Sequence, residues 1–127
     1  MGKTMSEKIL ALGAGVPEAQ AGDILWVNID KAMLDDILGP RVEIADRMKE
    51  IKDEIWDPSK VVVISDHYTP PASINQAEIV KFTRDWSKKY GVDNYYEFVG
   101  PCHQIMVEKG HVLPGSVVLG TDSHTCM

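Results

Sequence analysis

The hydrophobic pattern of the chain predicts four short strands. Residues 60–65 (KVVVIS) form a continuous apolar run, which is typical of a strand buried on both faces of a parallel sheet. Residues 95–99 and 116–119 are also rich in β-branched and aromatic side chains and predict two further strands. The run at residues 23–29 predicts a strand for the same reason, and residues 31–38 are expected to continue as a helix or a turn.

Apolar residues at helical spacing predict the helices. The segments are 5–12, 42–55 and 75–90, and Gly91 follows the last of them, as glycine commonly ends a helix. Strands and helices alternate along the chain, which favours parallel strands joined by helical crossovers. The sequence therefore predicts an α/β fold, a mostly parallel sheet flanked by helices, in a single domain over residues 1–127.

Composition and charge narrow the class of partner. Hydrophobic residues make up 44% of the chain and charged residues 25%, as in ordinary globular proteins. The net charge of −6 leaves no basic stripe to neutralise phosphates, so neither a nucleic acid nor an anionic membrane is an expected partner. No run approaches the roughly 20 apolar residues that span a bilayer, and no signal peptide is recognisable. We expect a cytoplasmic domain.

The cysteines and tryptophans are expected to be structural. Cys102 and Cys126 are the two cysteines of the chain, and they cannot supply a four-thiolate metal or cluster site. Burial is the expected role of both thiols. Trp26, Trp56 and Trp86 are expected in the core or at its edge, because a base-stacking platform would need basic neighbours.

Candidate chemistry follows the predicted strands. Asp66 and His67 come directly after the apolar run, His103 follows the next strand, and Asp122 and His124 follow the last one. In parallel sheets, ligands bind beyond the carboxyl ends of the strands. The three imidazoles are therefore expected to share a cleft in which they move protons, each oriented by a carboxylate. Spacing does not tell which aspartate orients which histidine.

Other interpretations of these residues stay open at this point. A histidine after a strand is often only a hydrogen-bonded surface residue. Histidine and aspartate are also zinc ligands, so His67, His103 and His124 could instead form a mononuclear metal site. Cys102 beside His103 could be a nucleophile with its base, but a catalytic histidine is usually adjacent to its cysteine in space rather than in sequence.

Several motifs together resemble a known family. They are MSEKILA near the N-terminus, SDHYTPP around His67, and the long stretch GPCHQIMVEKGHVLPGSVVLGTDSHT. In this order they resemble the large subunits of the aconitase and 3-isopropylmalate dehydratase (homoaconitase) family, over essentially the whole chain. The resemblance implies an N-terminal fragment of such a subunit, an incomplete first α/β domain of the aconitase fold.

The function that the resemblance implies is a [4Fe–4S]-dependent hydro-lyase. Such an enzyme reversibly removes water from a hydroxy di- or tricarboxylate that is 3-isopropylmalate-like, homocitrate-like or dimethylmalate-like. By position, Asp66 and His67 match the pair that protonates the leaving hydroxyl. His103 and Asp122 match a second histidine–carboxylate pair, and His124 matches a hydrogen-bonding residue beside the cluster iron.

The same resemblance implies substrate contacts, cluster ligands and a partner subunit. Ser123 matches a substrate-carboxylate contact. Asp35, or its neighbour Asp36, stands where relatives carry glutamine or histidine as a substrate contact, so the substrate itself is open. The three cluster cysteines are expected downstream of this region, which leaves no metal ligand in this chain, and a small swivelling subunit or domain is the expected partner. A stand-alone metal-binding domain and a non-catalytic remnant are the alternatives.

Overall fold

A parallel sheet forms the centre of the molecule. The computed structural model describes residues 2–126 of the chain. Its sheet is four-stranded, all pairings are parallel, and the strand order is β3-β2-β1-β4. The predicted α/β class with a parallel sheet is confirmed. The strands are β1 (Lys31–Asp35), β2 (Val61–Ser65), β3 (Tyr95–Glu97) and β4 (Val118–Gly120).

Helices fill the connections between the strands. The first is stabilised by a reciprocal capping box between Thr4 and Glu7. The third is capped by Ser73, whose side chain accepts the N–H of Gln76. Within residues 2–126 no helix has the length and apolar character needed to cross a membrane. The α-helices are α1 (Met5–Ala14), α2 (Val42–Ile51), α3 (Ile74–Lys89) and α4 (Cys102–Glu108), and a short 3₁₀ helix spans Pro58–Lys60.

The strand register brings the carboxyl ends of all the strands to one edge of the sheet. Asp35 of β1 lies beside Ile64 of β2. Met33 of β1 lies beside Gly120 of β4. Because all the strands point the same way, the loops that follow them start side by side.

Strand β2 is covered on both faces, as its apolar run predicts. Alternate residues point to opposite faces of a strand. Val62 and Ile64 pack with Met33 and with residues of α4 on one face. Val61 and Val63 pack on the other face with residues of α2 and α3. All residues of β2 are buried, so this strand is the centre of the core.

The prediction for residues 23–38 was wrong. Residues 23–29 lie in no strand, and Ile24 and Trp26 are 97% and 96% exposed. The strand is instead Lys31–Asp35, where a helix or turn was expected. The physical reason is tertiary pairing: β1 lies between β2 and β4 and takes its hydrogen bonds from both, which outweighs the β-branched composition of residues 23–29.

Other boundaries also differ from the predictions. Helix α2 ends at Ile51 rather than at residue 55, because the backbone of Lys52 turns to an extended conformation. Ile55 still packs against the core, but from the loop that follows the helix. Strand β3 ends at residue 97 instead of 99, and β4 spans 118–120 instead of 116–119. Helix α4 was not predicted.

One of the two cysteines and one of the three tryptophans are buried, as the sequence predicts. Cys102 and Trp86 are buried, 2% and 7% exposed. Trp26 and Trp56 are 96% and 62% exposed, so the expected core positions were wrong. Cys126 is exposed and does not pack. These three exposed residues lie outside the helices and strands.

Candidate active site

Side chains from two loops and from helix α4 meet at the carboxyl edge of the sheet. His67 follows β2, His103 lies in the first turn of α4, and Asp122 follows β4. Asp122 stands between the two imidazoles, with Oδ1 at 2.7 Å from His103 Nε2 and Oδ2 at 3.5 Å from His67 Nε2. One carboxylate therefore bridges two histidines that are far apart in sequence.

Asp122 and His103 form the better-defined pair. The backbone N–H of His124 and the ring of His103 both donate to Asp122, and these hydrogen bonds lower the pKa of the Asp122 carboxyl to about 2. An ionised carboxylate only accepts hydrogen bonds. His103 must therefore carry its proton on Nε2, which fixes the tautomer of the ring whenever it is neutral.

His67 lies among carboxylates on its other side. Its Nδ1 atom is 2.8 Å from Asp66 Oδ1, 3.3 Å from Asp36 Oδ1 and 3.8 Å from Asp35 Oδ2. Desolvation lowers the pKa of His67, but the attraction of Asp66, Asp35 and Asp36 outweighs it and raises the pKa above 6.5. The surroundings thus favour the imidazolium, while 31% of the side chain stays exposed.

Asp66 links His67 to helix α4. Its Oδ2 accepts the N–H of Cys102 at 2.5 Å. Its Oδ1 is buried and has no hydrogen-bond partner among residues 2–126, although His67 Nδ1 lies 2.8 Å away. The 2.8 Å contact is therefore an electrostatic one. A buried unpaired oxygen is costly, and its attraction to the imidazole, which raises the pKa of His67, offsets part of that cost.

Asp35 and Asp36, at the end of β1, are buried, 1% and 0% exposed. Asp36 accepts the backbone N–H groups of His67 and Tyr68. Asp35 is bound to Thr121 and so lies inside the protein rather than in the open cleft where a substrate contact was predicted. The sequence reasoning missed the role of Asp36; two adjacent carboxylates at the end of an apolar strand were the available signal.

Ser123 and His124 lie at the rim of the cluster. Both residues are exposed, and the side chain of His124 is 76% exposed. Nδ1 of His124 is 3.4 Å from Asp122 Oδ1 and 3.2 Å from Ser123 Oγ. These polar groups can meet a molecule that enters from solvent. The fourth histidine, His111, is hydrogen-bonded to Tyr96 and takes no part in the cluster.

A polar network supports β2 from the opposite side. Tyr95 donates to Glu97 at 2.7 Å and lies 3.3 Å from Ser65 Oγ, the last residue before Asp66. Arg84 of α3 holds Glu97 with a two-pronged contact. Burial raises the pKa of Tyr95 to about 12, so its hydroxyl stays a donor. The carboxyl end of β2 is thereby held from the side of β3.

The described residues do not fit a [4Fe–4S] cluster as ligands. Cluster iron is held by cysteine thiolates, and the chain has only two cysteines. Burial, then the charge of Asp66, raises the pKa of Cys102 to about 12, so this thiol is neutral and is unsuited to act as a nucleophile. Two sets of residues, Asp36 with Asp66 and His67, and Cys102 with His103 and Asp122, each bring possible ligand atoms within 4.8 Å of one another. Neither set offers more than one thiol, so neither matches the cysteine ligands of a cluster.

Fold and site together define a parallel α/β domain with a histidine–carboxylate cluster at the carboxyl edge of its sheet. The chain belongs to the aconitase family: the family model described as "Aconitase family (aconitate hydratase)" matches residues 7–127.

Curated relatives agree with this assignment. The chain is 48% identical to 3-isopropylmalate dehydratase large subunit 1 of Methanopyrus kandleri, over 99% of this chain and 30% of that protein. It is similar, at 48% identity over the same shares, to a probable 3-isopropylmalate dehydratase large subunit of Methanothermobacter thermautotrophicus. A large subunit from Clostridium botulinum is 41% identical, again over 99% and 30%. The chain thus spans about 30% of the length of these relatives.

Proposed function

We propose that this chain supplies the proton-handling residues of a hydro-lyase of the aconitase family. The observation that carries the proposal is the cluster in which Asp122 bridges His67 and His103, at 3.5 and 2.7 Å. Adding or removing water requires a proton donor for the leaving hydroxyl and groups that hold the proton afterwards. A positively polarised imidazole and a histidine–carboxylate pair are such groups.

His67 is the candidate acid. Its surroundings favour the protonated ring, and its side chain is partly exposed, so the proton can reach a bound molecule. Asp66 stabilises the positive ring at Nδ1, which leaves Nε2 as the nitrogen facing the cleft and Asp122. A leaving hydroxyl near Nε2 would take its proton from this atom.

His103 and Asp122 act as the second pair in this proposal. The ionised Asp122 holds His103 by its Nε2–H and so fixes the orientation of the ring. Ser123 and His124 at the rim are the proposed contacts of a substrate carboxylate. Among residues 2–126, no lysine or arginine forms an ion pair with the carboxylates of the cluster, so an anionic substrate needs cations from elsewhere.

Cofactor and partner follow from the family resemblance rather than from this chain. It implies a [4Fe–4S] cluster, which supplies Lewis-acid chemistry when bound and whose ligands would lie outside the residues described here. The named relatives are large subunits, so a small subunit is the proposed partner. The proposed substrate is 3-isopropylmalate-like, with homocitrate-like and dimethylmalate-like acids as alternatives. The chain would form one incomplete N-terminal domain.

A chimera tests the proposal. The matching segment of the Methanopyrus kandleri large subunit is replaced by this chain, and the chimera is assembled with the small subunit of that organism. Dehydration of 3-isopropylmalate is then followed by the ultraviolet absorbance of the unsaturated product. The chimera should be active, and His67→Asn should lower kcat by about 10²–10⁴-fold, the usual contribution of an acid–base group.

His111→Asn is the matched control, because His111 is a partly buried histidine outside the cluster. It should leave kcat close to that of the chimera. Full activity of the His67→Asn chimera would contradict the proposed acid. An inactive chimera that assembles and folds would contradict the function itself.

A further inference from the structure

The loop after β2 is held by a buried carboxylate from the neighbouring strand. Asp36 is 0% exposed, and its two oxygens accept the backbone N–H groups of His67 at 3.1 Å and Tyr68 at 3.0 Å. Asp36 Oδ1 also lies 3.3 Å from His67 Nδ1. One side chain of the loop after β1 therefore contacts both the backbone and the ring of the candidate acid.

The loop after β4 is held by the adjacent carboxylate. The hydroxyl of Thr121 donates to Asp35 Oδ1 at 2.8 Å and accepts the backbone N–H of Asp35 at 3.0 Å. Asp35 Oδ1 also accepts the N–H of Leu38, which closes the turn after β1. Because Thr121 directly precedes Asp122 in the chain, holding Thr121 also holds the backbone of Asp122 in place.

We propose that Asp35 and Asp36 form a clamp that fixes the distance between His67 and Asp122. Asp36 holds the loop after β2, and Asp35 together with Thr121 holds the loop after β4. Because the two aspartates are adjacent in sequence, a single peptide bond links the two holding points. Both are positioning residues, since they act through His67 and Asp122. Only the catalytic consequence of the clamp rests on the proposed function.

Energetics favour a dedicated role for this pair. Burying one carboxylate costs several kcal/mol unless it is hydrogen-bonded and charge-paired, and here two adjacent ones are buried. Their acceptor atoms meet backbone N–H groups, a hydroxyl and the ring of His67. An amide could not replace Asp36 freely, because its NH₂ group would face one of the two N–H donors.

The clamp also accounts for Asp35 better than a substrate contact does. Asp35 is 1% exposed, and its Oδ1 already accepts two hydrogen bonds. Its Oδ2 points toward His67 Nδ1, 3.8 Å away. A substrate would have to displace Thr121 or His67 to reach this carboxylate.

Thr121→Val is the decisive variant, measured by NMR on the chain alone. It removes the hydroxyl without changing charge and without touching His67. The groups that face His67 are Asp35 and Asp36 after β1, Asp66 on its own loop and Asp122 after β4. If the clamp releases the β4 loop, Asp122 withdraws, and the titration midpoint of His67 should fall. The Asp35 amide should exchange with solvent about tenfold faster or more.

Thr121→Ser is the conservative rescue, because it keeps the hydroxyl; its His67 midpoint and Asp35 exchange should match those of the unaltered chain. Asp53→Asn is the surface control, since Asp53 is exposed and pairs with Lys89 and Tyr90 rather than with any residue of the cluster. An unchanged midpoint and unchanged exchange in Thr121→Val would overturn the clamp.

Measurements on the unaltered chain keep the clamp testable even if Thr121→Val does not fold. The amides of Asp35, His67 and Tyr68 should exchange slowly although the last two lie in a loop. Exchange as fast as in an open loop would refute the clamp.

The chain-only readouts are independent of the hydro-lyase assignment. In the chimera, Thr121→Val should lower kcat on the order of 10²-fold, as expected for a misplaced reacting group, with a shifted pH profile and a smaller change in KM. An inactive chimera with an intact clamp would sink only the proposed function.

Discussion

At the scale of single residues, two histidines of this chain should have pKa values shifted in opposite directions. His67 is surrounded by carboxylates that raise its pKa above 6.5 despite desolvation. His111 is hydrogen-bonded to Tyr96, and desolvation, with the charge of Lys31, lowers its pKa below 6.5. We expect NMR titration of the chain to give a higher midpoint for His67 than for His111. The reverse order would show that the carboxylates do not surround His67 as described.

These two shifts have opposite effects on stability. A raised folded-state pKa stabilises the fold below the unfolded pKa, and that stabilisation is lost as the pH rises through the folded-state value. His67 therefore favours folding at mildly acid pH. His111 favours its neutral form in the fold, so its contribution is lost as the pH falls through its lowered pKa. Urea unfolding of His67→Asn and His111→Asn chains at several pH values would separate the two contributions.

Sequence reasoning reached only part of the cluster at this scale. The placement of Asp66, His67, His103 and Asp122 at strand ends follows from the apolar runs that precede them. Their pairing does not, because it depends on side-chain directions that spacing does not encode. The role of Asp36 was missed, because its partners are backbone N–H groups of a loop that follows a different strand.

At the scale of elements, the central strand β2 should dominate stability. Ile64 is 1% exposed and packs between β1 and α4. Ile64→Ala should lower the free energy of unfolding by about 2–5 kcal/mol, the usual cost of removing a buried isoleucine side chain. Ile24→Ala is the matched control, because Ile24 is 97% exposed, and it should change stability by about 0.5 kcal/mol or less. Equal effects in urea unfolding would contradict the burial pattern.

The success of sequence reasoning also varied among the elements. Strand β2 was predicted because burial on both faces leaves a continuous apolar run. Strand β1 was missed because it begins with Lys31 and ends with Asp35, and these charged side chains lie at the two ends of the strand. Residues 23–29 have a strand-like composition without a partner strand. Pairing is a property of the whole sheet, and a local window does not contain it.

At the scale of the whole molecule, the site is a product of topology. Its residues come from loops after β1, β2 and β4 and from α4, and they meet because the strand order β3-β2-β1-β4 places those loops side by side. The histidine–carboxylate cluster therefore requires the folded sheet and cannot form in any single segment. This is also why the family motifs, spread over the chain, identify one site.

The different exposures of the three tryptophans provide a test of the overall fold. Trp86 is 7% exposed between α3 and the sheet, whereas Trp26 and Trp56 are 96% and 62% exposed. We expect acrylamide to quench most of the fluorescence of the chain, and the Trp26→Phe, Trp56→Phe double variant to retain a blue-shifted, weakly quenched emission from Trp86. The matched control, Trp86→Phe, should keep only the easily quenched component. Exposed apolar side chains promote association, so the spectra are compared over a concentration series. Protection of Trp26 at the lowest concentration would mean that residues 23–29 pack against the sheet, contrary to the structure.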